Sequence, residues 1–263
     1  MSDRPKLGLA LGAGSVRGLA HIGVIQVLQE NKIPIDLIAG TSAGGMIGAL
    51  YAAGVDFKLL EGLACSLKLK HIIDFVFPKT GLVGGQKLAD LIALLTKNQD
   101  FKDLKIPLSL VACDIETGEK VIINQGNVAL GVRATISIPG IFEPVRIGKR
   151  MLVDGALLDR VPVSVAREMG ADLVIGVDVG YDLQPERVTN IFGVIMQAID
   201  IMGMELLRAR VVDADIMIRP PVGHIGSFKL HQAKECIELG RIAAEDAVDS
   251  IKELLESYKN KQD

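Results

Sequence analysis

A serine between glycines is the residue best placed for chemistry. Ser42 lies in the segment 40–44, which reads Gly-Thr-Ser-Ala-Gly. The apolar residues before it, Ile35, Leu37, Ile38 and Ala39, predict the end of a buried strand, and residues 46–53 predict a helix that stops at Gly54. A sharp turn between a strand and a helix pushes its serine hydroxyl outwards, towards the positive end of the helix dipole. The pattern therefore predicts a serine nucleophile, with a tight packing turn as the alternative.

A glycine-rich loop follows the first predicted strand. Residues 6–11 predict that strand, residues 12–18 read Gly-Ala-Gly-Ser-Val-Arg-Gly, and residues 19–30 predict a helix. A dinucleotide site would need glycine where Arg17 stands, so the loop supports that function only weakly. Successive N–H groups in a glycine-rich loop can bind an anion. Beside an elbow serine, such a loop would serve as an oxyanion hole.

Composition indicates one domain built on a buried sheet. Hydrophobic residues make up 49% of the 263 residues, and the mean hydropathy is +0.35. A parallel sheet covered on both faces accounts for such values, because its strands are buried along their length. Since no linker or repeat divides the chain, we expect one domain over 1–263, with a core near 6–180 and a helical C-terminal part near 187–260. The net charge of −3 and the lack of a basic stripe argue against nucleic-acid binding.

The cysteines and the hydrophobic runs favour a cytoplasmic protein. Cys65, Cys113 and Cys236 are far apart and lack metal-ligand spacing, which favours reduced thiols and no metal site. The apolar run near the N-terminus breaks into glycines and does not resemble a signal peptide. The uncharged stretch 37–55 approaches the length of a membrane span, but its glycines favour a buried strand, turn and helix.

Three motifs in order resemble the patatin-like phospholipase family, and its bacterial members most. The first is the glycine-rich loop with Arg17, followed by Ala-His-Ile-Gly-Val at 20–24. The second is Gly-Thr-Ser-Ala-Gly-Gly at 40–45. The third is Asp-Gly-Ala at 154–156, which on its own would be read as a common turn.

The resemblance implies a fold, a reaction and a set of site residues. The fold is three-layer α/β/α with a central, mostly parallel sheet, and the substrates are lipid acyl esters, without calcium or another cofactor. Ser42 would attack the ester, and Asp154 would serve as its base. Gly14, Ser15, Val16 and Arg17 would form the oxyanion hole. The residues that support these motifs are Gly12, Gly18, Gly40, Ala43, Gly44, Gly155 and Ala156.

Two other functions remain open from the sequence. An α/β-hydrolase triad would need a histidine late in the chain, and His224 and His231 are the candidates. A non-catalytic lipid-binding or regulatory module is the second. It is motivated by Ala13 and Ser15, which stand where the family's loop usually has glycine.

The sequence also raises two expectations about partners. Residues 55–80 mix lysines with apolar side chains such as Phe75 and Phe77. This segment could cover the site, touch lipid head groups at the inner membrane surface, or pack as an ordinary surface helix. The methionine-bearing helix at 187–210 favours core packing over a lipid-binding face, and a homodimer seam is a further alternative. Residues 231–257 predict one terminal helix.

Overall fold

A computed structural model describes residues 4–77, 79–182, 188–209 and 213–259. Its strands are β1 (Leu7–Leu11), β2 (Leu37–Thr41), β3 (Leu108–Asp114), β4 (Lys120–Ile123), β5 (Val145–Ile147), β6 (Arg150–Asp154), β7 (Leu173–Val177) and β8 (Ile216–Ile218). These strands form one sheet with the pairing order β5-β6-β3-β2-β1-β7-β8, and β4 also pairs with β3. The pairings among β3, β2, β1, β7 and β8 are parallel, and those of β4, β5 and β6 are antiparallel. The prediction of a mostly parallel central sheet is confirmed.

The helices connect these strands and follow them. They are α1 (Ala20–Glu30), α2 (Ala43–Ala52), α3 (Phe57–Ser66), α4 (Leu69–Ile72), α5 (Gln86–Leu95), α6 (Val128–Thr135), α7 (Val163–Glu168), α8 (Ile191–Ala209), α9 (Ala233–Glu245) and α10 (Val248–Lys259). Short 3-10 turns lie at Ser15–Leu19, Phe101–Asp103, Gly155–Leu157 and Leu230–Gln232. No helix in the described ranges is both long enough and apolar enough to cross a membrane.

Successive side chains of the central strands point to opposite faces of the sheet, and each face has its own hydrophobic core. Leu9 and Leu11 point to the face covered by α1 and α2, with α9 packed on α1. Ala10 and Ala39 point to the opposite face, where α7 covers β1, β2 and β7. Because successive strand residues face opposite sides of the sheet, a strand is fully buried only when helices cover both faces. The three-layer α/β/α fold is confirmed.

The C-terminal helix prediction needs a correction. Residues 231–257 do not form one helix, because α9 ends at Glu245 and α10 begins at Val248. The Ala247 N–H donates to the carbonyl of Ala244, three residues back, so the helical ladder tightens and breaks there. The helix predicted at 187–210 is observed as Ile191–Ala209, and both predicted end residues lie outside the described residues.

The pairing around β3 brings two strand ends together. Val111 pairs with Thr41 of β2 on one side and with β4 on the other. Ala112 also pairs with β4, and its other partner is Asp154 of β6. Since a strand has only two edges, β2 and β6 lie end to end along the same edge of β3. Their last residues, Thr41 and Asp154, therefore meet there.

Candidate active site

Ser42 occupies a strained turn between β2 and α2. Its backbone has φ 54° and ψ −125°, a combination rare for a residue with a side chain. The turn is possible because Gly40 and Gly44, two residues before and after Ser42, lack a Cβ. A Cβ on Gly40 would lie 2.5 Å from the Cα of Gly45, and one on Gly44 would lie 2.3 Å from the Leu11 carbonyl oxygen. The Ser42 N–H donates to Thr135 Oγ1 at 2.9 Å, which fixes the turn to α6.

The serine hydroxyl and the Asp154 carboxylate are in direct contact. Ser42 Oγ donates to Asp154 Oδ2 at 2.6 Å. The backbone N–H of Ala156 donates to Oδ1 at 2.8 Å, so both carboxylate oxygens have a donor. Both side chains are buried. A hydroxyl held this close to a carboxylate can pass its proton directly to that carboxylate.

Burial raises the pKa of Asp154 to about 6. The hydrogen bonds from Ser42 and Ala156 and the charge of Arg160 lower the pKa by less than burial raises it. A carboxylate with this pKa is still mostly ionised at neutral pH, and it is a stronger base than an exposed aspartate.

The glycine-rich loop leaves only some of its N–H groups free. The Arg17 N–H donates to the Gly14 carbonyl at 3.1 Å, and the Val16 N–H lies 3.5 Å from the Ser227 carbonyl oxygen. Within the described ranges, the N–H groups of Gly14, Ser15 and Ala43 donate to no protein acceptor. These three N–H groups are therefore available to an anion.

Ser15 keeps the conformation that glycine would favour. Its φ of 52° lies in the left-handed region. Its hydroxyl donates to the Ser227 carbonyl at 2.6 Å, which ties the loop to the segment before α9. The loop thus holds this shape with serine in place of glycine.

The remaining motif residues hold the backbone around Ser42, Asp154 and the glycine-rich loop. The Gly12 N–H donates to the Val177 carbonyl at the end of β7. Gly18 packs against Ala43 at the start of α2, and Gly155 opens the turn that carries the Ala156 N–H. Ala13 follows Gly12 and donates its N–H to the Arg160 carbonyl at 2.9 Å.

A buried ion cluster that the sequence did not reveal adjoins the site. Asp200 on α8 accepts from Arg17 at 2.5 Å through Oδ2 and from Arg160 at 3.2 Å through Oδ1. All three side chains are at least nine-tenths buried. Asp200 and Arg160 line the small cavity that also contacts Ser42 and Asp154. One carboxylate therefore connects the glycine-rich loop to the segment that follows the Asp154 turn.

We expect Asp200→Asn to destabilise the fold. Removing one partner of a buried ion pair leaves uncompensated charge, which typically costs about 3–5 kcal/mol. Urea unfolding monitored by circular dichroism would measure the loss, and Asp246→Asn, at an exposed aspartate, is the control. Stability equal to that of the unchanged protein would contradict the assigned role of the cluster.

An apolar cavity of about 390 Å³ contains Ser42 in its wall. Its polar lining side chains are few: Ser15, Ser42, Asn190 and Ser227. The rest is aliphatic or aromatic, and includes Leu19, Met46, Ile138, Ile141, Phe142 and Phe192. A space lined in this way suits a hydrocarbon chain.

The four histidines stay outside the site. His224 Nε2 lies 2.8 Å from Glu235 on the exposed surface. His21 is fully buried and burial lowers its pKa to about 4, so the neutral ring donates from Nε2 to the Gly12 carbonyl. His71 and His231 are exposed and are not among the residues that line either cavity at Ser42. Among the described residues, no group of three or more His, Cys, Asp or Glu could hold a metal ion.

The sequence matches a known family over the part that holds the site. A family model described as patatin-like phospholipase matches residues 9–167, more than half of the chain. The chain therefore belongs to the patatin-like phospholipase family. The matched region includes Ser42, Asp154 and the glycine-rich loop.

Curated relatives share the family but are longer. An uncharacterized NTE family protein of Mycobacterium tuberculosis is 35% identical over 190 residues, 71% of this chain and 52% of its own length. A second such protein of that species is 30% identical over 280 residues, 95% of this chain and 47% of its own. Mouse patatin-like phospholipase domain-containing protein 7 is 32% identical over 184 residues, 66% of this chain and 14% of its own. The chain spans about half the length of the first two relatives.

Solved structures share the fold at low sequence identity. VipD from Legionella pneumophila matches with a TM-score of 0.67 at 14% identity, covering 95% of this chain and 67% of that one. The type III effector ExoU matches with a TM-score of 0.53 at 14% identity, covering 95% and 56%.

Proposed function

We propose that this protein is a serine acyl hydrolase that cleaves carboxylic esters of lipids, such as the acyl groups of phospholipids or lysophospholipids. The observation that carries the proposal is the 2.6 Å hydrogen bond from Ser42 to the buried Asp154, in the wall of an apolar cavity. Family membership supports it independently.

In the first half of the reaction, Ser42 Oγ attacks the ester carbonyl carbon and its proton passes to Asp154 Oδ2. The carbonyl oxygen becomes an oxyanion, which the N–H groups of Gly14, Ser15 and Ala43 stabilise, aided by the N-terminal dipole of α2. Collapse of this intermediate breaks the bond to the leaving alcohol, and Asp154 returns the proton to that alcohol. The acyl group is then esterified to Ser42.

In the second half, Asp154 takes a proton from water as the water attacks the acyl-enzyme. The new tetrahedral intermediate expels Ser42 Oγ, and the proton on Asp154 returns to it. The fatty acid leaves, and the starting state of the dyad is restored. The strained turn holds the backbone of Ser42 next to Asp154 through both halves.

The apolar lining of the cavity favours substrates with lipid acyl chains over substrates with small polar acyl groups. Its apolar walls gain contact with each added methylene, at roughly 0.8 kcal/mol per buried CH₂. A panel of nitrophenyl esters of rising chain length, together with phosphatidylcholine and lysophosphatidylcholine, tests the proposal. We expect kcat/KM to rise with chain length until the cavity is filled. Absence of hydrolysis of every ester by folded protein would overturn the proposed function.

The pH profile of kcat/KM should have an acidic limb set by the ionisation of Asp154. Asp154 accepts a proton only when ionised, and its pKa is about 6. We expect kcat/KM for a soluble ester to fall about tenfold per pH unit below that pKa. Stopped assays across pH in buffers of constant ionic strength would show it. Rates that stay constant well below pH 6 would contradict the role of Asp154.

Replacement of His224 should leave turnover nearly unchanged. The imidazole pairs with Glu235 and contacts neither Ser42 nor Asp154. An exposed ion pair contributes less than about 1 kcal/mol to stability, so the fold should tolerate His224→Ala. Steady-state kinetics of this variant and of His231→Ala separate the dyad from a triad. Near-total loss of activity in either folded variant would favour a triad.

A further inference from the structure

We propose that the opening of the apolar cavity docks on a lipid bilayer that contains anionic phospholipid. This inference rests on the proposed function, because it names the surface from which the substrate would enter. It is carried by the position of exposed apolar side chains beside the cavity and by the lysines next to them.

Exposed apolar side chains lie beside the cavity opening. Phe75 lines the cavity with Ser42, yet 74% of it is exposed, so it marks where the cavity meets solvent. Phe77 follows two residues later and is 80% exposed. At the start of α8, Phe192 lines the same cavity, while Ile191 and Val194 on the outer side of the helix are mostly exposed. We call Phe75, Phe77, Ile191 and Val194 the apolar rim.

The outer face of α8 extends this apolar surface. Ile201 and Met202, farther along the helix, are each 53% exposed. Asp200 is the single charged residue between 191 and 204, and it is buried against the two arginines. Exposed apolar surface of this extent, next to a functional cavity, is typical of an interaction site.

Three exposed lysines lie in the same segment as the rim residues Phe75 and Phe77. Lys68, Lys70 and Lys79 are exposed, and Asp74 is the one acidic residue between 68 and 80. The Asp74 carboxylate is occupied by the N–H groups of Gly85 and Gln86. The chain as a whole has a net charge of −3, so the net charge of this segment is opposite in sign to that of the whole chain. Lysines beside exposed aromatic rings complement a surface with phosphate groups outside and hydrocarbon beneath.

The charges favour a membrane over a second copy of the chain. In a two-fold dimer the same patch faces itself, so the three lysines would approach those of the other subunit. Such like-charge contacts oppose association. A bilayer with anionic lipid satisfies both the rings and the lysines.

Co-sedimentation of the full chain with vesicles tests the proposal. We expect it to pellet with vesicles in which phosphatidylserine replaces part of the phosphatidylcholine, less with phosphatidylcholine alone, and less at high salt. Phe77→Asp should lower the bound fraction several-fold, whereas Leu94→Asp, at a similarly exposed leucine, should not. Replacing Lys68, Lys70 and Lys79 by glutamine should remove the salt-sensitive part of binding. The control replaces Lys32, Lys102 and Lys149, exposed lysines elsewhere.

Three results would overturn the docking proposal. The first is no binding to the phosphatidylserine vesicles, and the second is equal binding by the rim variants and the controls. The third is a dimer in sedimentation velocity that Phe77→Asp dissociates, which would make the rim a contact between copies. Hydrolysis of short soluble esters by the unchanged protein is measured in parallel without vesicles. Activity there without vesicle binding would reject docking while leaving the proposed function intact.

Discussion

Ser42→Ala is expected to reduce ester hydrolysis to near the background rate while the protein stays folded. The hydroxyl is the only atom of the side chain that the proposed reaction uses, and without it no acyl-enzyme can form. The free N–H groups and the cavity remain, so weak residual catalysis over water is expected. We expect a loss of at least about 10³-fold in kcat, measured with a short nitrophenyl ester.

The structure also predicts how the rest of the site responds to Ser42→Ala. Asp154 loses the donor to Oδ2 and keeps the Ala156 N–H on Oδ1, so its turn should be retained. Ser109→Ala is a matched control, because Ser109 is a buried serine on the neighbouring strand β3. Substantial activity in purified, folded Ser42→Ala protein would refute the proposed nucleophile.

Asp154→Asn is expected to remove turnover to a similar degree. The amide has nearly the same shape as the carboxylate and can still accept from the Ala156 N–H. It cannot take the proton of Ser42, so the hydroxyl stays a weak nucleophile. Steady-state and single-turnover assays with the same ester would show the loss in the acylation step. Activity that remains within a few-fold of the unchanged protein would rule out Asp154 as the base.

The same substitution should make the fold more stable at neutral and higher pH. Burial raises the pKa of Asp154 from its ordinary value of 3.8 to about 6, so the folded state binds its proton more tightly than the unfolded chain does. Stability therefore falls as pH rises through that interval, and the loss is complete above the folded-state pKa. The shift corresponds to roughly 3 kcal/mol, which an asparagine would not lose.

Urea unfolding at pH values on both sides of this interval would measure the effect. Asp154→Asn should exceed the unchanged protein in unfolding free energy above pH 6, and the difference should shrink below pH 4. An Asp154→Asn protein that is less stable at every pH would contradict the assigned desolvation of the carboxylate. A gain in stability with a loss of activity is the usual signature of a strained functional site.

The motifs and the central strands could be predicted because their signals are local. The apolar run before Ser42 and the small residues after it define a strand, a turn and a helix within the segment 35–54. The role of Asp154 could be predicted only from a family motif, because an Asp-Gly pair alone indicates a common turn. Its closeness to Ser42 arises from pairing along β3, which joins residues 112 apart in sequence.

The contribution of α8 could not be predicted from the sequence. Asp200 lies in a methionine-rich helix whose pattern predicts packing only, and nothing local indicates that it meets Arg17 and Arg160. Thr135, which accepts from the Ser42 N–H, is equally ordinary in sequence. Both contacts depend on how separate segments pack, so only the folded chain reveals them.

The most direct test of the central claim is the mass of the protein after reaction with a fluorophosphonate probe, with the modified residue located by peptide mapping. This reagent reacts with an activated serine hydroxyl and leaves a stable adduct. We predict a single adduct on Ser42 in the unchanged protein and little or none in Asp154→Asn. An unmodified Ser42 in folded protein would contradict the account and favour a non-catalytic lipid-binding module.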